Sequence, residues 1–304
     1  MEQTIPLGGN LLREESKVKR FTFMLEQQSC FSITRMADVL RVSRSGYYAW
    51  LHASPSQRQQ KREARDEKVK VAFDASKQRD GARRIQAELA DIGETAHLKT
   101  IADSMKRQGL VAKAARKFKV TTDSNHALPV APNILARDFT AKALNKKWVG
   151  DITYLLTSEG WLYLAVVIDL YSRAVVGWSM SSRMTSTLVC DALKMVLFRR
   201  DMPKGVIVHS DRGSQYCSYA YRDIIEKHEL KLSMSRKGNC WDNAVAESFF
   251  HSLKVEAIHD APLMDRETMR QTVFEYIEID DNRTRRHSAL GYLSPVNYEI
   301  KNVA

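Results

Sequence analysis

Trp148-Val-Gly-Asp-Ile-Thr-Tyr154 reads as a β-strand, and it opens the part of the chain that decides the fold. Upstream, apolar residues recur at helical spacing; from Trp148 onward they run as strands. Trp148–Leu156 is the first strand, and Ser158-Glu-Gly160 is a turn. Trp161–Leu170 is almost continuously apolar, which predicts a strand covered on both faces. Arg173–Met180 is a third strand. Ser186–Arg199 places Leu188, Val189, Ala192, Leu193, Val196 and Leu197 on one stripe, the pattern of a helix lying on a core. Pro203-Lys-Gly205 closes that unit. Gly205–Ser210 is a fourth strand, followed by a helix near Tyr219–His228 and a short strand at Leu230–Met234. Three meandering strands and then alternating helix and strand predict an α/β mixed sheet with flanking helices.

Three carboxylates stand out against this pattern. Asp151 sits mid-strand among apolar neighbours, where an unpaired carboxylate is costly and commonly has a cation partner. Asp211, in His209-Ser-Asp-Arg-Gly-Ser-Gln-Tyr216, follows the apolar Val206-Ile-Val208. In open α/β sheets such strand ends are where ligands gather. Glu247 follows Asp211 after 35 intervening residues, in Gly238-Asn-Cys-Trp-Asp-Asn-Ala-Val-Ala-Glu-Ser-Phe249. Twenty acidic residues follow position 147, so spacing decides nothing and context must. The Glu247 helix has Asn239 as a cap, an apolar row of Val245, Phe249 and Leu253, and a polar stripe of Asn243, Glu247, His251 and Lys254. Helix geometry sets Lys254 about 20° from Glu247 and roughly 10 Å further along the axis. One stripe therefore offers a carboxylate for a metal and a cation for a neighbouring phosphate. The alternative is a solvated helix face with a charge pair. Three carboxylates from two strands and a helix can hold two divalent cations around a phosphate, the requirement for metal-ion cutting and joining of DNA.

The charge is unevenly placed. Of a net charge of +11, residues 1–147 hold 28 Lys and Arg against 16 Asp and Glu; residues 148–304 hold 19 against 20. A basic half on a near-neutral half suggests a polyanion-binding arm on a catalytic body. No apolar run reaches the roughly 18–20 residues of a membrane span, and no secretory signal is legible. The expected location is the bacterial cytoplasm, on the nucleoid when bound to DNA. Cys30, Cys190, Cys217 and Cys240 are scattered, so neither a disulfide framework nor a zinc ribbon is implied, and Cys30, His52 and His97 are too isolated for a zinc module.

The basic half divides further. Residues 1–20 are expected to be a disordered leader. Residues 21–56 suggest a helix-turn-helix: Ile33, Met36, Ala37 and Leu40 share a face, Ser43 caps a second helix, and Arg44 sits near its start. Residues 57–112 hold a charged helix and a second such pattern, with Ile85 and Leu89, then Gly93, then Ile101 and Met105. Residues 113–145 read as a basic linker, 146–260 as the catalytic core, and 261–304 as its terminal helix and basic tail.

The chain resembles the second-frame transposases of the IS3 insertion-sequence family, relatives of retroviral integrases. The resemblance covers about residues 30–300. It rests on Val42-Ser-Arg-Ser-Gly-Tyr-Tyr-Ala-Trp50, Gly81-Ala-Arg-Arg-Ile85, Arg137-Asp-Phe-Thr140, the three carboxylate segments, and Arg286-His-Ser-Ala-Leu-Gly-Tyr-Leu-Ser-Pro295. It implies an RNase H-like fold behind an all-α helix-turn-helix-type region. It also implies Asp151, Asp211 and Glu247 as a catalytic, metal-holding triad, with Lys254 at DNA near the cut. Further candidates for DNA contact are Asn243, His251, Arg44, Arg83, Arg84, Arg285 and Arg286. The expected cofactor is Mg2+, with Mn2+ as substitute, two ions per site. The expected partners are the element's terminal inverted repeats and target DNA, a second copy of the chain on DNA, and an upstream-frame protein. Two rival readings are an RNase H-like nuclease and a DNA-binding regulator with an inactive or dependent core.

Overall fold

The computed structural model describes residues 15–113, 129–236 and 240–303, in two compact units, residues 1–67 and 68–304. Within the first unit, helices α1 (Lys17–Glu26), α2 (Ile33–Leu40) and α3 (Arg44–Leu51) enclose Phe21, Met24, Met36, Ala37, Leu40 and Tyr47. Ser16, Ser32 and Ser43 cap the three helices through their hydroxyls. The α2–α3 turn is made by Arg41 in the left-handed region, φ 52°. Residues 17–20 thus belong to a capped helix rather than to a leader, while 1–14 lie outside the described residues.

Helix α4 (Gln57–Ala75) is exposed over its first two turns and buries Val69 and Phe73 near its end. In the second unit these two residues pack with Ile85 and Leu89 of α5 (Ala82–Asp91) and Ile101 and Met105 of α6 (Leu98–Arg107). That pair is the second expected helical pattern. It packs on the C-terminal segments of the core through ion pairs described below.

The sheet has order β3-β2-β1-β4-β5. Its strands are β1 (Lys147–Thr157), β2 (Gly160–Asp169), β3 (Val175–Ser181), β4 (Ile207–Ser210) and β5 (Lys231–Met234). The first three pair antiparallel, and β1 pairs parallel with β4, as β4 does with β5. Alternation along β1 sends Trp148 to one face and Val149 to the other. On the first face, α7 (Ser186–Arg199) and α8 (Tyr219–Lys227) close over Trp148, Val167 and Val208. The approach of α7 is tight: a Cβ on Gly177 of β3 would lie 2.4 Å from the Ala192 carbonyl, so only glycine fits.

The second face is covered by α9 (Ala244–Leu253) and α10 (Arg266–Glu275), with Phe249, Leu253, Met269, Val273, Tyr276 and Ile277 buried. Each helix continues into a wider π-helical stretch, Lys254–Ile258 and Tyr276–Thr284. Helix α11 (Pro295–Val303) follows. Residues of α10 and the π-helical turn after it thus form part of the layer on this face of the sheet.

Residues 129–145, expected as linker, are strapped to the sheet. The Ile134 and Leu135 N–H groups donate to Ser233 Oγ at 2.9 and 3.1 Å, and Leu135 is buried. No helix among the described residues is long and apolar enough to cross a membrane.

Candidate active site

The register of β1 and β4 brings two carboxylates together. Val149 lies opposite His209, and continuing that parallel pairing by two residues sets Asp151 beside Asp211 on the same face. That face is the one carrying α9. The Ile152 N–H donates to Asp151 Oδ1 at 2.8 Å. Burial pushes the Asp151 carboxyl well above its ordinary range, and the Asp211 and Glu247 charges push it further. The Asp211 side chain is held by the Gly213 N–H at 2.9 Å. A Cβ on Gly213 would lie 3.1 Å from that same oxygen, so glycine keeps the turn close to the carboxylate.

Glu247 stands exposed in the first turn of α9, where the helix N-terminus favours an anion. It acts on Asp151 more weakly than Asp211 does. Among the described residues no three His, Cys, Asp or Glu side chains gather closely enough to hold a metal ion. The close pair is Asp151 and Asp211, with Glu247 facing it across the site. Lys254 is half-buried at the end of α9; burial lowers its ammonium and the Asp151 charge opposes that shift. Glu256, two residues on, is paired with Arg285.

The surroundings are rigid. His209 is fully buried between Ser233 Oγ at 2.8 Å and Ser235 Oγ at 3.1 Å. Burial holds it down at about 4, so it ties β4 to the end of β5 as a neutral ring. Tyr216 lies under Gly150 with its hydroxyl buried and without a hydrogen-bond partner in the structure.

The expected DNA contacts separate into two groups. His251, Arg44 and Arg83 are exposed. Arg44 donates to Thr34 Oγ1 at 3.2 Å. Arg84, Arg285 and Arg286 are committed within the chain. Arg285 Nε and Nη2 grip both oxygens of buried Glu256 at 3.0–3.1 Å. Arg84 lies 3.1 Å from Asp80 and 3.5 Å from Glu256. Arg286 bridges Glu88 and Asp91 of α5. Asn243 is only 5% exposed and turns inward to the Gly150 carbonyl. Asn239, the expected cap of the Glu247 helix, lies outside the described residues; α9 starts at Ala244, behind a 3-10 turn over Cys240–Asn243.

Sequence reasoning missed Asp242 and Glu256. Asp242 is fully buried and accepts from Asn133 Nδ2 and Arg137 Nε, both at 2.9 Å, and from the Arg236 N–H at 3.1 Å. Burial alone would raise its carboxyl; these donors bring it below the usual range. Its position inside the Trp241-Asp-Asn243 segment was the available signal.

A mixed sheet with a carboxylate pair at the β1–β4 fork and a third carboxylate on a covering helix is an integrase-type core. The integrase core domain family matches residues 141–240 and, in a second family of that description, 247–303; an HTH-like domain matches 59–118. The transposase InsF of insertion sequence IS3A from Escherichia coli K12 is 56% identical over 287 residues, covering 94% of this chain and all of that one. A 31 kDa protein of insertion element IS600 from Shigella sonnei is 47% identical over 266 residues, 88% of this chain and 98% of that one. Among solved structures, a chain of a simian T-cell lymphotropic virus intasome in complex with the PP2A regulatory subunit B56 gamma overlaps at TM-score 0.43 and 15% identity, over 70% of this chain and 69% of that one. The chain belongs to the IS3 family of insertion-sequence transposases.

Proposed function

We propose that the chain cuts DNA at the ends of its insertion sequence and joins the freed ends to target DNA, with Asp151, Asp211 and Glu247 as the catalytic triad. The observation that carries this is the Asp151–Asp211 pair, side by side at the strand fork, with a buried carboxyl that two like charges disfavour ionising. A site that crowds carboxylates fits a divalent ion, and its donors are the hard oxygens Mg2+ prefers. Asp151, Asp211 and Glu247 would hold Mg2+, or Mn2+ in its place, two ions per site. Bound there, the metal would supply Lewis acidity and an activated oxygen nucleophile. The chain's own part is to hold the carboxylates. The Ile152 and Gly213 N–H groups orient Asp151 and Asp211, and α9 presents Glu247. In cleavage, water attacks phosphorus and the 3′-oxygen of the element end leaves. In joining, that 3′-hydroxyl attacks a target phosphate and the target's 3′-oxygen leaves. No covalent link to protein forms.

On this reading Lys254 contacts DNA beside the cut, and the exposed Arg44, Arg83 and His251 meet backbone phosphates. The partners are the terminal inverted repeats and target DNA, a second copy of the chain, and an upstream-frame protein, in the bacterial cytoplasm and at the nucleoid. The test is Asp151→Asn, Asp211→Asn and Glu247→Gln, each keeping shape and removing a ligand. Each should abolish cleavage and joining in an assay with the element's own ends, with end-DNA binding retained. Strand cleavage at the wild-type rate by any one of them removes that residue from the triad.

A further inference from the structure

An asparagine at the start of a helix ordinarily spends its side-chain oxygen on the first-turn N–H groups. Asn243 does not. It occupies the N-cap of α9 at φ −122°, ψ 21°, and makes no side-chain capping bond. Its side chain instead reaches across to β1, where Nδ2 donates to the Gly150 carbonyl at 3.4 Å, beside the Asp151 carboxylate, whose ionised form the amide favours. Its Oδ1 is buried and has no hydrogen-bond partner in the structure. The preceding residue, Asp242, is locked by Asn133, Arg137 and the Arg236 N–H, so Asn243 cannot drift. Glu247 is one helical turn further on.

We propose that Asn243 is a positioning residue: its amide ties the Asp151 segment of β1 to the start of α9 and so sets the spacing between Asp151 and Glu247. The proposal rests on the triad reading above. Any donor that arrives with metal or substrate would find the Asn243 oxygen already oriented. The sequence alone suggested a DNA contact here, and the two roles separate experimentally.

The experiment uses the full chain with Asn243→Ala and Asn243→Ser, and reads three quantities. These are the Mg2+ midpoint of a thermal-shift titration, the Mg2+ dependence of the joining rate, and end-DNA binding. Removing a group that orients a metal ligand costs about 10–100-fold in metal affinity or activity. Asn243→Ala should therefore raise the Mg2+ midpoint and lower joining by about that factor, with end-DNA binding unchanged. Asn243→Ser keeps a hydroxyl donor and should fall between alanine and wild type; it also stands in if alanine prevents folding. A wild-type Mg2+ midpoint and joining rate in both variants overturns the proposal. So does lost DNA binding at an unchanged midpoint, which would restore Asn243 as a DNA contact. Asp151→Asn runs alongside. If it still joins DNA the triad reading fails, whereas if it is dead and both Asn243 variants are normal, only the positioning role fails.

Discussion

The chain contains two helix-turn-helix-like regions that look alike in sequence and differ in what their charges do. In α2–α3 the arginine at the second helix start, Arg44, is exposed and donates to the Thr34 hydroxyl. In α5–α6 Arg83 is likewise exposed, but other charges of the region are committed within the chain. Arg84 is paired to Asp80 and lies within 3.5 Å of Glu256, and Glu88 and Asp91 hold Arg286. Arg79 donates to the Glu256 carbonyl and to Asp280, which also meets Lys77. The second region is thus a buttress of the catalytic core as well as a family-typical HTH-like domain. The positive charge of a segment is a DNA footprint only after its internal pairs are subtracted.

The sharpest way to break this comparison is Glu256→Ala. Glu256 is 7% exposed and receives Arg285 and the Tyr276 hydroxyl at 2.9 Å. Removing one partner of such a buried cluster costs about 3–5 kcal/mol, to be read by denaturant unfolding. Burial alone would raise the Glu256 carboxyl, but Arg285 and Arg84 bring it below the usual range. A depressed acid stabilises the fold above its unfolded pKa, about 4.3. That contribution should disappear as pH falls below this value, and the variant should lack it. Next in size is Arg286→Ala. Its partners Glu88 and Asp91 are more than half exposed, so the loss should be at most about 1 kcal/mol by the same measurement. Smallest in stability is Arg44→Ala, within about 0.5 kcal/mol of wild type. If Arg44 meets a phosphate, its removal should flatten the salt dependence of DNA affinity by about 0.9 in log–log slope. An Arg44→Ala protein with an unchanged slope, or an Arg286→Ala protein that loses DNA slope without stability, would reverse the distinction drawn between the two regions.

Much of the sheet was legible because its signals are local. The apolar run Trp161–Leu170 matches β2 (Gly160–Asp169), and the stripe on Ser186–Arg199 is α7. Asp151 and Asp211 were legible through their strands, Glu247 through its helix. What was hidden depends on distant partners. Glu256 is buried because Arg285, 29 positions away, and Arg84, further still, enclose it. No periodicity reports that. The strap at 129–145 lacked a pattern because its backbone N–H groups, rather than its side chains, carry the attachment to Ser233. Helix geometry puts Asn243 on the Glu247 stripe, but cannot say that the first position of that stripe turns inward to β1.

The β1–β4 pairing spans only Lys147–Val149 against Ile207–His209, and the two aspartates come just beyond its end. This makes the site unequally tolerant of changes in chain length. One residue inserted between His209 and Asp211 would turn Asp211 to the opposite face of the sheet, away from Asp151 and α9. Asp242 and Asn243, by contrast, hold the start of α9 through Asn133, Arg137 and the Gly150 carbonyl, contacts that lie outside the strand ladder. The two-residue step from His209 to Asp211 is fixed by the strand register it follows.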